Sequence, residues 1–133
     1  MANIFLMENE PNISSILENV LTDEGHCVTT AGNGAAGLEK LFESPKPDLV
    51  LLDLNTTGSN GQEVTQRMKA STDFNDIPVV IMSGRRTYSD DFSLKDNYEA
   101  ILYKPFDLSD LISVVNRLTS LKKLKKAGPA PQF

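Results

Sequence analysis

The 133-residue chain contains one cysteine, one histidine and no tryptophan. With Cys27 alone, no internal disulfide can form, which suits a reducing compartment. Cys27 itself reads as a small buried apolar residue. The lone His26 sits at the expected start of a strand, a poor place for a phosphate relay. No apolar stretch approaches the roughly 20 residues that span a bilayer. The N-terminus is uncharged apart from its amine and reaches Glu8 too soon for a signal peptide. Positive charge is not in excess: 13 Lys and Arg stand against 18 Asp and Glu, a net charge of −5. That argues against nonspecific nucleic-acid binding by the chain as a whole, while leaving room for a local basic patch. A cytoplasmic location is the expectation.

The chain is organised around the stretch from Pro47 to Gly61. Leu49 to Leu52 is a short unbroken apolar run. Periodicity alone cannot tell a doubly covered strand from buried helix. Pro45 and Pro47 before it, with Gly58 and Gly61 after it, leave too little room for a helix, so a buried parallel strand is expected. It ends in Asp53. Open α/β sheets bind ligands beyond the carboxyl ends of their strands, so Asp53 falls at a working edge.

Around this strand the chain alternates. Ile4 to Met7 predicts a first strand. Pro11 suits the first turn of a helix carrying Ile13, Ile16, Leu17, Val20 and Leu21 on one face. Gly25 is a fitting stop. His26 to Ala31 predicts a second strand, and Ala35, Leu38, Leu41 and Phe42 a second helix. Asn60 with Glu63 resembles a capping box opening a third helix, with Val64, Met68 and the stem of Arg67 inward. Ala70 to Asp76 reads as a polar connection. Ile77 to Met82 predicts a fourth strand ending in Ser83, and Ala100 to Tyr103 a fifth ending before Lys104. Between them, Arg85 to Asn97 gives a weak helical pattern. Asp107 and Asp110 open a last helix with Leu108, Leu111, Ile112, Val115 and Leu118 inward. Strand–helix alternation repeated five times predicts an α/β fold: a doubly wound five-stranded parallel sheet between two helical layers. One domain is expected over residues 1–121, with 122–133, four lysines and then Gly-Pro-Ala-Pro, as a flexible extension or linker.

Five polar residues then fall at one sheet edge: Glu8 and Asn9, Asp53, Ser83 and Lys104. In a sheet ordered 2-1-3-4-5, strands one and three flank the switch point, so Glu8 and Asp53 face each other across it. Two carboxylates about 4 Å apart repel by roughly 4 kcal/mol at an effective dielectric near 20. A divalent cation or Lys104 can offset that. A hydroxyl and an ammonium beside a carboxylate also suit phosphoryl transfer.

Four stretches in this order resemble the receiver domain of two-component response regulators: Ile4 to Pro11, Pro47 to Leu54, Pro78 to Ser83 and Leu102 to Phe106. The likeness spans about Asn3 to Leu121. It implies a flavodoxin-like three-layer sandwich phosphorylated on Asp53 by a histidine kinase or histidine phosphotransfer protein, with Mg²⁺ held by Glu8, Asn9, Asp53 and the backbone carbonyl of Asn55. Ser83 and Lys104 match the family's hydroxyl and lysine positions, and a cis Lys104–Pro105 bond is implied. Such a domain is not an enzyme beyond assisting its own phosphorylation and dephosphorylation. Its outer face, including Arg85, Arg86, Tyr88 and the last helix, would meet a downstream protein partner or a second copy, giving a phosphorylation-dependent homodimer. The spacing of Leu111, Val114, Leu118, Leu121 and Leu124 resembles a short coiled-coil seam. No DNA-binding segment follows Leu121, so direct nucleic-acid contact is not expected.

Several positions depart from the family pattern. Asn9 replaces a second acid, which predicts weaker Mg²⁺ binding. Ile101 stands where the family keeps its switch aromatic; Tyr103 points the same way by alternation but abuts Lys104. Thr57 replaces a proline, and Gly84 a common alanine. Asn9 and Ile101 keep open a phosphorylation-independent pseudo-receiver that binds proteins. A phosphatase of the haloacid-dehalogenase type also has an Asp after an apolar strand, and Thr57 lies where that family keeps a Thr. Against it, Asn55 replaces the second Asp, and the acid follows the third strand instead of the first.

Overall fold

The computed structural model describes residues 2–32, 34–53, 61–83 and 98–126. Its elements run β1 (Asn3–Met7), α1 (Pro11–Asp23), β2 (Cys27–Ala31), α2 (Gly34–Glu43), β3 (Leu49–Asp53), α3 (Gly61–Ala70), β4 (Val79–Ser83), β5 (Ala100–Tyr103) and α4 (Leu108–Lys126). All strand pairs are parallel, in the order β2-β1-β3-β4-β5. This is the expected doubly wound sheet, with all five strands ending at one edge. Asn55, Thr57, Asn60 and the stretch from Gly84 to Asn97, with Arg85, Arg86 and Tyr88, lie outside the described residues.

Alternation along each strand builds two cores. Phe5, Met7, Val50, Leu52, Val79 and Ile81 face the layer containing Leu38, Leu41, Val64 and Met68. Ile4, Leu6, Leu49, Leu51, Val80 and Met82 face Leu17, Leu21, Leu111, Val115 and Leu118. β3 is buried along its whole length, as its unbroken apolar run requires. Gly25 closes α1 with φ +94°, a left-handed conformation that a side chain would strain. The Lys104–Pro105 bond is cis.

Several expectations are corrected. Cys27 is exposed, because it opens β2, an edge strand with one flank open. Ile16 and Leu108, assigned to inner helix faces, are 49 % and 40 % exposed. Leu17 and Leu21 fill the space beneath α1, and Leu108 is the first residue of α4, beyond the sheet edge. The connection after α3 is not wholly polar: Phe74 is buried, and its ring lies 4.8 Å from that of Phe42. The Arg67 guanidinium covers the Phe42 ring at 5.7 Å, while Arg67 itself is exposed and is not part of the core. α4 continues to Lys126 as one helix.

Candidate functional site

The strand ends bring Glu8, Asp53 and Lys104 together. Glu8 follows β1 and Asp53 closes β3; these strands are direct neighbours, with Met7 opposite Leu52. Lys104 follows β5. Alternation sends all three toward the α1 and α4 side, the side of Leu6, Leu51 and Leu102. The Lys104 Nζ lies 3.3 Å from Glu8 Oε2 and 3.3 Å from Asp53 Oδ2. Glu8 and Asp53 are buried, whereas the Lys104 side chain is 27 % exposed. One ammonium thus stands against two carboxylates shielded from water. The backbone N–H of Glu10 also donates to Glu8 Oε1 at 3.3 Å.

Two buried acids sharing one cation leave one charge poorly compensated. Burial pushes the Glu8 carboxyl up from 4.5 to about 7, and hydrogen bonding and repulsion from Asp53 push the same way. Lys104 and the Glu10 N–H oppose the rise without cancelling it. Near neutrality Glu8 is therefore poised between a carboxylic acid and a carboxylate.

The remaining predicted residues fall around this trio. Asn9 is exposed beside it, at the mouth of the crevice. Ser83 closes β4 and is buried. Its strand position places it on the face of Val79 and Ile81, opposite the face of Asp53. The Lys104 N–H donates to the Ser83 carbonyl at 2.6 Å, tying the ends of β4 and β5 together. Tyr103 lies directly opposite Ser83 in the β4–β5 register. His26 directly precedes β2, at the opposite end of the strand from these groups, and is buried with Nε2 3.0 Å from Asn116 Oδ1, so it ties the start of β2 to α4.

The donors suit a small hard cation. Glu8 and Asp53 offer carboxylate oxygens from adjacent strands, and Asn9 can add an amide oxygen. Mg²⁺ commonly binds through one or two carboxylates and keeps several waters. Among the described residues no cluster of three His, Cys, Asp or Glu side chains forms a metal site. The set is accordingly sparse in charge.

An apolar groove of about 500 Å³ adjoins the site. Ile13, Ile16, Leu17, Phe106 and Leu108 line it, and Lys104 closes one end. Ile16 and Leu108 are its exposed large apolar side chains. The sequence reading missed this groove, because Ile16 and Leu108 carry the same spacing as residues that are buried. No helix among the described residues is long and apolar enough to cross a membrane.

Comparison with known proteins agrees with this arrangement. Residues 4–116 match the response regulator receiver domain model. Response regulator ArlR of Staphylococcus epidermidis is 32 % identical over 114 residues, covering 85 % of this chain and 50 % of that protein. Transcriptional regulatory protein TcrA of Mycobacterium tuberculosis is 29 % identical over 130 residues, 97 % of this chain and 48 % of that protein. The chain thus spans about half the length of the curated relatives it matches. Among solved structures, response regulator TrrA of Thermotoga maritima, in complex with Mg²⁺-BeF, superposes with a TM-score of 0.79 at 30 % identity, covering 89 % of this chain and 99 % of that one. NtrX of Brucella abortus gives a TM-score of 0.81 at 27 % identity, covering 95 % of this chain and 29 % of that one. A buried acid at the end of the central strand, met by a lysine from the edge strand, is thus set in a chain that belongs to the response regulator receiver domain family of two-component systems.

Proposed function

We propose that the chain accepts a phosphoryl group on Asp53 from a phosphohistidine donor, with Mg²⁺ held by Glu8, Asp53, Asn9 and the backbone carbonyl of Asn55. The observation that carries this is the convergence of Lys104 on Asp53 and Glu8 at 3.3 Å each. An Asp53 carboxylate oxygen attacks phosphorus, the P–N bond to the donor imidazole breaks, and a P–O bond to Asp53 forms. Lys104 donates to a phosphoryl oxygen as its bond to the Asp53 carboxylate is given up, and Ser83 supplies a hydroxyl to another. Mg²⁺, when bound, neutralises phosphoryl charge. The domain assists this transfer and the later hydrolysis and carries no separate enzymatic activity.

The donor docks in the groove beside Lys104. A phosphohistidine must come within bonding distance of Asp53, and the apolar wall formed by Ile13, Ile16, Phe106 and Leu108 adjoins Lys104. The related TrrA binds Mg²⁺-BeF, a complex of the kind this reading expects here. A relative named as a transcriptional regulatory protein supports a place for this chain in regulation. A phosphorylation-independent binding module is the second reading, favoured by Asn9 and its missing charge.

The test is phosphorylation by acetyl phosphate with and without Mg²⁺, beside Asp53→Asn, read by intact mass. A Mg²⁺-dependent adduct absent from the variant supports the phosphoacceptor reading. No adduct at high Mg²⁺ overturns it in favour of the binding module.

A further inference from the structure

β2 lies at the edge of the sheet, so one row of its backbone groups faces away from any neighbouring strand. The bonds to β1 fix which row. The Cys27 N–H donates to the Ala2 carbonyl at 2.8 Å, and the Ala31 carbonyl accepts from the Glu8 N–H at 3.0 Å. Cys27, Thr29 and Ala31 therefore turn their backbone groups toward β1, and Val28 and Thr30 turn theirs outward. The outward row is covered at one point by α2. The Lys40 Nζ donates to the Thr30 carbonyl at 2.8 Å. An ammonium laid on a free sheet edge takes the acceptor that an incoming strand would use.

This edge is complementary to itself. Thr29 is the middle residue of β2. A second β2 set antiparallel about a two-fold axis at Thr29 places Val28 of one copy opposite Thr30 of the other. Both are outward residues, so each such pair exchanges both of its N–H···O=C bonds. Thr29 then meets Thr29 of the second copy, a favourable cross-strand pair. Thr29 is exposed, so its face of the sheet is open at the axis. Cys27, which is also exposed, falls opposite Ala31 of the second copy, and the two thiols stay apart. Val28, Thr29 and Thr30 are all β-branched, the residue type that favours strand pairing.

We propose that the outer edge of β2 is a docking strand for a second copy of this chain, held shut by Lys40. To pair, each copy releases its Lys40 from the Thr30 carbonyl, and the Val28 N–H of the other copy takes its place. The freed ammonium returns to water. The product is one continuous sheet running through both copies. This surface lies at the opposite edge of the sheet from β5 and Lys104, and the inference is independent of the phosphoacceptor reading.

The experiment is sedimentation of the full chain over a concentration series, with reductant present so that Cys27 cannot cross-link. Lys40 and Thr29 are exposed, so substitutions there keep the parent fold. Lys40→Met is expected to self-associate about tenfold more tightly than the parent protein, because the exposed ammonium contacts no longer have to be given up. Amide exchange at Val28 and Thr30 should slow as its concentration rises. Added to Lys40→Met, Thr29→Lys and Thr29→Glu should each keep the chain monomeric, since like charges then meet at the axis. An equimolar mixture of the two should associate again. Lys40→Met no tighter than the parent protein overturns the inference. Association that survives either Thr29 substitution also overturns it, by placing the contact on another surface, as does a mixture that stays monomeric.

Discussion

Lys104 Nζ stands 3.3 Å from Asp53 Oδ2, although the two residues come from strands separated by β4 in the sheet. The contact spans a crevice, with Glu8 held by the same ammonium. Removing the cation leaves two buried carboxylates without a partner charge. Lys104→Met is expected to lose about 3 kcal/mol at pH 8, because breaking a buried pair strands its acids. The loss shrinks at pH 5, where Glu8 holds a proton. Urea unfolding at the two pH values measures both.

Glu8 gives the metal-free protein a pH dependence of definite sign. Its carboxyl titrates at about 7 in the fold and near 4.5 otherwise. Between those values the folded chain keeps a proton that the unfolded chain has released. The contribution of this group is therefore fully present below about 4.5 and lost as pH rises through 7. Glu8→Gln, which cannot ionise, is expected to flatten that part of the curve. It should match the parent protein near pH 4 and exceed it at pH 8 by on the order of 2 kcal/mol. A denaturation series from pH 4 to 8 without divalent ions decides it.

Asn9 sets the strength of the proposed Mg²⁺ site. A third carboxylate would raise the affinity of an oxygen-donor site through charge. Asn9→Asp is expected to tighten Mg²⁺ by about tenfold, roughly 1.4 kcal/mol. Because Mg²⁺ favours the ionised form of Glu8, binding near pH 6.5 should release protons. Titration calorimetry in two buffers of different ionisation enthalpy reads both effects, and equal heats in the two buffers would count against Glu8 as a ligand.

Ile16 separates docking from chemistry. It is 49 % exposed, so Ile16→Glu should change stability by less than about 0.5 kcal/mol. Phosphoryl transfer from a phosphohistidine protein should fall at least tenfold, while phosphorylation by acetyl phosphate keeps its rate. Equal losses from both donors would place the defect in the site itself.

Gly25 tests the end of α1. A Cβ there meets nothing within 4 Å, so only its φ of +94° is at stake. Gly25→Ala should cost about 1 kcal/mol through backbone strain alone and leave adduct formation untouched. A thermal melt beside the intact-mass assay checks both.

Much of this arrangement is legible in the sequence. Leu49 to Leu52 announces a strand covered on both faces, and the five polar strand ends follow from alternation of strands and helices. Where the reading fails, the cause is geometric. The apolar spacing of α1 is continuous, yet Leu17 and Leu21 are buried while Ile16, a turn of about 100° from Leu17, is left exposed. Cys27 carries no mark of an edge strand, which only the strand order reveals. Phe74 sits among polar neighbours, and its burial depends on Phe42 reaching it from α2. The rise in the Glu8 carboxyl needs the depth of the crevice as well as the presence of Asp53. Likewise, Tyr103 and Ser83 become neighbours only once the β4–β5 register is known.

Glu8 and Lys104 meet across 96 residues of chain, from the first strand to the last. No fragment lacking either end can assemble their contact, and a nascent chain acquires it only after β5 has closed the sheet. The site therefore exists only in the finished sheet: a piece ending before β5 carries Glu8 and Asp53 without the ammonium that neutralises them.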